Sequence, residues 1–213
     1  MKIICIGRNY AEHAKELGNP LPKKPVFFMK PDTSLQIRNR PFYYPSFSKD
    51  VHYETELVIK ISKNGRHIEE KFAHTYYDEI GLGIDFTARD LQRECKEKGL
   101  PWEIAKAFDF SAPLSHFIPF DSLKDKNHIH FHLDLNGQTV QKSSSEHMIF
   151  NFDELISYVS QFVTLKMGDL IFTGTPEGVG PVSINDQLTG YLDGEKMLDF
   201  LVKLSTVFST RKG

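Results

Sequence analysis

Cysteine is scarce in this chain: Cys5 and Cys95 are the only two among 213 residues. They have no Cys-x-x-Cys spacing, which excludes a paired-cysteine zinc site and reads as two buried free thiols. No stretch approaches the ~18–20 consecutive apolar residues of a transmembrane helix. The opening apolar run, Ile3-Ile4-Cys5-Ile6, is too short for a secretory signal. The expected location is therefore the cytoplasm, with no membrane partner. Neither charge sign is in large excess: 26 Lys and Arg stand against 28 Asp and Glu, a formal net charge of −2. A dedicated nucleic-acid binder would show a basic surplus, so no nucleic-acid partner is expected. Repeats and low-complexity segments are absent as well. What is present is ordinary for a globular chain with one core, 40% hydrophobic and 25% charged residues.

Glycine and proline crowd residues 18–45, which predicts loops broken by short strands such as 26–29. Strand-like segments follow at 53–61, 80–86, 128–135 and 170–173. Two of them lead into the turn signals Lys63-Asn64-Gly65 and Asn136-Gly137. A helix is expected over 87–98, with Thr87 as its N-cap and Gly99 and Pro101 beyond its end. A second is expected over 152–162, where Leu155, Ile156, Val159 and Phe162 recur at helical spacing. A short helix over 9–18 has Asn9 as cap, Glu12 three residues on and Gly18 as stop. With many strands, few helices and no regular βαβ alternation, the fold class is α+β, mostly β. Residues 1–213 form a single domain in this reading, with residues 1–50 as an N-terminal lid and loop region.

The main chemical signal is His52-Tyr53-Glu54-Thr55-Glu56-Leu57. Strand side chains alternate faces, so Glu54 and Glu56 point the same way with Cα atoms about 6–7 Å apart. The two charges repel, and neither has an obvious basic partner nearby in sequence. A solvated acidic face is one reading; a shared cation is the other. All-oxygen ligands favour Mg²⁺ or Mn²⁺ over zinc. Asp85, at a strand end just before a helix, supplies a third carboxylate and leaves part of an octahedral shell open. His52 runs in step with the two glutamates but is expected in packing or in support of the site. His128, His130 and His132 read as surface strand residues. His13 and Glu16, at i and i+3, share a helix face and form either an exposed pair or a general base with its supporting carboxylate. Lys106 sits in the apolar run Ile104-Ala105-Lys106-Ala107-Phe108, which suits either a surface lysine or one that holds an oxyanion. Arg89 and Gln92, also at i and i+3, could face a substrate carboxylate; Arg89 could equally be an ion-pair partner. The loop Thr173-Gly174-Thr175-Pro176-Glu177-Gly178-Val179-Gly180-Pro181 exposes backbone N–H groups. It extends Thr175 ahead of a proline. The loop is either a tight turn alone or a concavity that sets Gly174 and Thr175 at a substrate carboxylate. The loop lacks the Gly-Lys-Ser/Thr ending of a phosphate-binding loop.

Taken together, Gly7-Arg8-Asn9-Tyr10, Tyr53-Glu54-Thr55-Glu56-Leu57, Asp85-Phe86-Thr87-Ala88-Arg89-Asp90, Lys98-Gly99-Leu100-Pro101-Trp102 with Ala105-Lys106, and the loop from Thr173 to Pro181 resemble the fumarylacetoacetate hydrolase family. They occur in the family's order and cover nearly the whole chain. The resemblance implies a mixed, rolled β-sandwich with peripheral helices, usually a homodimer, with Mg²⁺ or Mn²⁺ on Glu54, Glu56 and Asp85. It places His13, Glu16 and Lys106 in catalysis, and Arg8, Arg89, Gln92, Gly174 and Thr175 at the substrate. The helix carrying His13 would act as a lid. The compact length and the Gly7-Arg8-Asn9-Tyr10 start are most similar to the acylpyruvase branch, which includes oxaloacetate decarboxylases. The expected activity is hydrolysis of the C–C bond of acylpyruvates (2,4-dioxo acids) to pyruvate and a carboxylate, accompanied by decarboxylation of oxaloacetate. The alternatives are an isomerase, decarboxylase or hydratase of longer 2-oxo dienoates, and a non-catalytic 2-oxo-acid-binding protein.

Overall fold

Alternation in the strand Thr55–Ile61 sorts its apolar side chains onto two faces. Leu57, Ile59 and Ile61 enter the larger buried cluster, with Ile80, Leu82, Ile84, Phe131, Leu188 and Leu198. Val58 enters a smaller cluster with Ile3, Cys5, Leu170 and Phe172. A strand buried on both sides must lie inside a sheet, and a computed structural model, which describes residues 1–12 and 21–205, places it there. The sheet runs Ile118–Pro119, Tyr77–Ile84, Thr55–Ile61, Leu170–Phe172, Ile3–Gly7, Val26–Lys30. Its neighbours pair antiparallel except Ile3–Gly7 with Leu170–Phe172. A second, five-stranded sheet runs Gln138–Ser144, His130–Leu135, Gln187–Leu192, Glu195–Leu204, Phe42–Tyr44. The two pack face to face. A Cβ at Gly190 would fall 2.7 Å from Leu82 Cδ2 and 3.2 Å from Leu198 Cβ, which marks the close approach of the sheets there.

This is the expected mostly-β, mixed sheet architecture, and neither sheet closes on itself. The helix Phe152–Phe162 starts at a capping box. Asn151 Oδ1 accepts the Glu154 N–H (3.0 Å), and a Glu154 carboxylate oxygen accepts the Asn151 N–H (2.8 Å). It buries Phe152, Leu155, Ile156 and Val159. The other anticipated helix begins later than its sequence pattern indicates. Residues Thr87–Ala88 form a short strand, the helix spans Arg89–Lys98, and Gly99 ends it with φ 64°. Thr87 is therefore not the cap; its hydroxyl donates to Glu54 Oε1 (2.9 Å). Residues 1–50 do more than form lid and loop. Ile3–Gly7 and Val26–Lys30 are strands of the main sheet, and Phe42–Tyr44 closes one edge of the second. No helix among the described residues is long and apolar enough to cross a membrane.

Candidate metal centre and active site

The segment expected as one strand over 53–61 is two. Val51–Tyr53 pairs with Thr87–Ala88 and Gly180–Pro181, whereas Thr55–Ile61 pairs with Tyr77–Ile84. Glu54 is the pivot between them. Its carbonyl accepts the Asp85 N–H at 2.8 Å, so the backbone itself ties the first carboxylate residue to the third. Glu56 lies one residue into the second strand. All three acids are buried: Glu54 is 6% exposed, Glu56 1% and Asp85 1%. One carboxylate oxygen from each lies within 4.8 Å of the others. The solvated-face reading of Glu54 and Glu56 is thus overturned by their burial.

Burying three carboxylates is costly unless cations accompany them. The companions come from distant segments. Lys106 Nζ bridges Glu54 Oε2 (2.8 Å) and Asp85 Oδ2 (2.7 Å). Lys30 Nζ stands 2.8 Å from Asp85 Oδ1. It also donates to the Ser111 hydroxyl (2.9 Å) and to the Lys106 carbonyl. Arg89 Nη2 meets Glu54 Oε1 at 2.8 Å. Glu56 receives the Gly174 N–H on Oε2 at 2.8 Å. Burial, and then the charge of Asp85, push the Glu56 carboxyl well above its ordinary value, an effect that Gly174 and Lys106 only partly offset. Burial alone would push the Lys106 ammonium down. Asp85 and Glu54 more than reverse this and hold it above the usual lysine value.

The donor set fits a hard divalent ion. Three converging carboxylate oxygens and no sulfur or imidazole match Mg²⁺ or Mn²⁺. Such an ion would also relieve the charge repulsion around Glu56. The carboxylates open onto a cavity of about 60 Å³. Arg8, Arg89, Gln92, Lys106 and Thr175 line it, together with Phe28, Lys96 and Trp102. Four cationic side chains therefore face three carboxylates across one small space, a setting suited to an anion beside a metal.

Individual expectations fare differently. The Arg89 guanidinium pairs with Glu54 and donates through Nη1 to Gln92 Oε1 (2.8 Å), while still lining the cavity. That contact leaves the Gln92 amide N–H₂ as a donor. Gly174 does not present its N–H to the cavity, because Glu56 takes it. With φ at 101° and a would-be Cβ only 2.7 Å from Asn9 Cβ, the position requires glycine. Arg8 lines the cavity from a backbone with φ 60°. The following residue, Asn9, pins this turn by donating to the Phe150 and Thr173 carbonyls (3.0 and 2.8 Å). His13 and Glu16 lie outside the described residues. His52 turns to Asp50, with Nε2 2.8 Å from Oδ1. His128 pairs with Asp125 on the surface. Sequence reasoning passed over Lys30, Lys96 and Gln141. The one available signal was Lys30, a charge ending the apolar run Val26-Phe27-Phe28-Met29.

Residues 2–207 match the family model described as fumarylacetoacetate (FAA) hydrolase, C-terminal. The chain belongs to the fumarylacetoacetate hydrolase family. Among relatives in this family, the mitochondrial oxaloacetate tautomerase FAHD1 of Mus musculus is 42% identical, covering 95% of this chain and 92% of that protein. The mitochondrial oxaloacetate decarboxylase of Dictyostelium discoideum is 44% identical, covering 95% and 94%. A crystal structure of fumarylpyruvate hydrolase from Pseudomonas aeruginosa, in complex with Mn²⁺ and pyruvate, superposes with a TM-score of 0.91 at 39% identity, covering 96% of this chain and 90% of that one.

Proposed function

We propose that this protein is a metal-dependent enzyme that hydrolyses the C–C bond of acylpyruvates to pyruvate and a carboxylate, and that it also acts on oxaloacetate. The observation that carries the reading is the convergence of Glu54, Glu56 and Asp85 with the Lys106 cation on one small cavity. Glu54, Glu56 and Asp85 would hold Mg²⁺ or Mn²⁺, which supplies Lewis-acid polarisation of the 2-oxo group when bound. Arg8, Thr175 and the Gln92 amide face the cavity and bind the substrate's carboxylate. His13, supported by Glu16, takes the proton of the water that attacks the distal carbonyl. The C–C bond then breaks, its electron pair passes to pyruvate enolate, and a proton returns to the methylene carbon. Lys106 meets the negative charge that grows on the enolate oxygen. Loss of CO₂ from oxaloacetate yields the same enolate without an attacking water. The relatives described as oxaloacetate decarboxylase and fumarylpyruvate hydrolase support this assignment, and the protein is taken to work as a cytoplasmic homodimer.

A second reading, keto–enol interconversion of oxaloacetate, is favoured by relatives described as oxaloacetate tautomerases. It requires removal of a proton from the carbon beside the 2-oxo group and delivery of one to the oxo oxygen, or the reverse, with no C–C bond broken. The test is a pyruvate-coupled assay with acetylpyruvate and with oxaloacetate, each with Mg²⁺ and with EDTA, while enol absorbance is followed in parallel. Metal-dependent pyruvate release supports the first reading, and decay of the enol without pyruvate supports the second. Pyruvate binding with neither activity would identify a binding protein instead.

A further inference from the structure

Gln141 lies on the strand Gln138–Ser144 of the second sheet, yet its buried side chain reaches across to the metal-centre side of the molecule. Oε1 accepts the N–H of Thr55, the residue between Glu54 and Glu56, at 2.9 Å. Nε2 donates to Thr175 Oγ1 at 2.9 Å and to the Pro176 carbonyl at 3.0 Å. These partners fix which end of the amide is which. In the reverse orientation, N–H₂ would face an N–H and the oxygen would face a carbonyl. The Glu177 carbonyl lies further off, at 3.4 Å; in the shortest contact the Thr175 hydroxyl accepts from Gln141, and its own hydrogen is left to point elsewhere. Thr175 lines the cavity.

We infer that Gln141 is a positioning residue that makes Thr175 a hydrogen-bond donor to an anionic oxygen in the cavity. This rests on the reading of the cavity as a 2-oxo-acid site. Without Gln141, the Thr175 hydroxyl loses the donor that fixes its orientation, and its hydrogen is no longer directed to the cavity. Gln141 thus acts on carboxylate affinity through Thr175, without touching substrate.

The test is a double-mutant cycle read by pyruvate binding to the full-length protein in saturating Mn²⁺, with acetylpyruvate kinetics alongside. Thr175→Val and Gln141→Met should each weaken pyruvate roughly tenfold, the worth of one charge-assisted hydrogen bond. The double variant should be no weaker than Thr175→Val alone. In kinetics the loss should appear in KM, with kcat within about threefold. Gln141→Glu keeps the acceptor for Thr55 but turns the donor into an acceptor; it should match or exceed the loss in Gln141→Met, and it carries the same comparison if the methionine variant folds poorly. Wild-type affinity in the Gln141 variants, or an equal loss in the Thr175→Val background, would overturn the assignment. A wild type that binds pyruvate through both residues but turns over no 2-oxo acid would sink the enzymatic reading and leave this one standing. No pyruvate binding by the wild type would overturn both.

Discussion

Replacing Lys30 by methionine tests whether the buried charges form one balanced unit. The Lys30 side chain is fully buried and its ammonium stands 2.8 Å from Asp85 Oδ1. Methionine occupies much of the volume of the stem, so the loss is chiefly electrostatic. Breaking a buried ion pair by removing one partner costs about 3–5 kcal/mol. Asp85 keeps Lys106 at 2.7 Å, which argues for the lower end. About 3 kcal/mol corresponds to a fall in Tm of roughly 6–12 °C for a chain of this size. The same substitution removes a positive charge beside a proposed metal ligand, so Mn²⁺ should bind Lys30→Met more tightly than wild type. Thermal unfolding by circular dichroism, with and without Mn²⁺, reads both effects. The variant should melt lower in EDTA and gain more from Mn²⁺ than wild type, in line with ligand linkage. A Tm within about 2 °C of wild type in EDTA would refute the balanced-charge argument. So would a smaller gain from Mn²⁺ than wild type shows.

Substitutions at three further positions probe the layers around this centre. Lys106→Met should lower kcat for acetylpyruvate by roughly 10²–10³, with Lys106→Arg restoring little because the larger, delocalised guanidinium does not put a compact point charge at the same buried position; steady-state kinetics at saturating Mg²⁺ decide it. Gly174→Ala, which sets a Cβ against Asn9 at a left-handed backbone, should cost about 1–3 kcal/mol in urea unfolding and weaken Mn²⁺ binding by disturbing the amide on Glu56. Burial tends to push the Asp90 carboxyl up, but the Lys49 N–H, the Ser48 hydroxyl and the Leu91 N–H outweigh it and leave it below its ordinary 3.8. Asp90→Asn should therefore cost about 1 kcal/mol near neutral pH, allowing for solvent screening. That difference should shrink as pH falls through the folded-state value and vanish once the carboxyl is protonated in both states. A pH series of unfolding curves checks the sign.

How much of this was legible in the residues follows from range. Glu54 and Glu56 share a direction because of a two-residue period, and Asp85 precedes a helix; both are local facts, and the three acids do converge. The helix Phe152–Phe162 announces both its apolar face and its cap within a few residues. The break at Glu54 does not show, because it arises where one chain segment changes partners between two sheets. Nor do the cations that accompany the acids. Lys30 arrives from the edge strand of the main sheet and Lys106 from a helical turn after a proline, and neither spacing hints at Asp85. Gln141 is further removed still, since it crosses from the other sheet. Thr87 carried a valid capping signal, but a hydroxyl can serve a buried carboxylate as well as a helix end, and here the carboxylate prevails.

The claim that three carboxylates share one hard cation is tested most directly by titrating the metal-free protein with Mn²⁺, read by electron paramagnetic resonance. One Mn²⁺ should bind per chain, and Glu56→Gln should weaken it at least a hundredfold while the fold, followed by circular dichroism, stays intact. A wild type that binds no Mn²⁺, or a Glu56→Gln variant that binds it as tightly as wild type, would contradict the account.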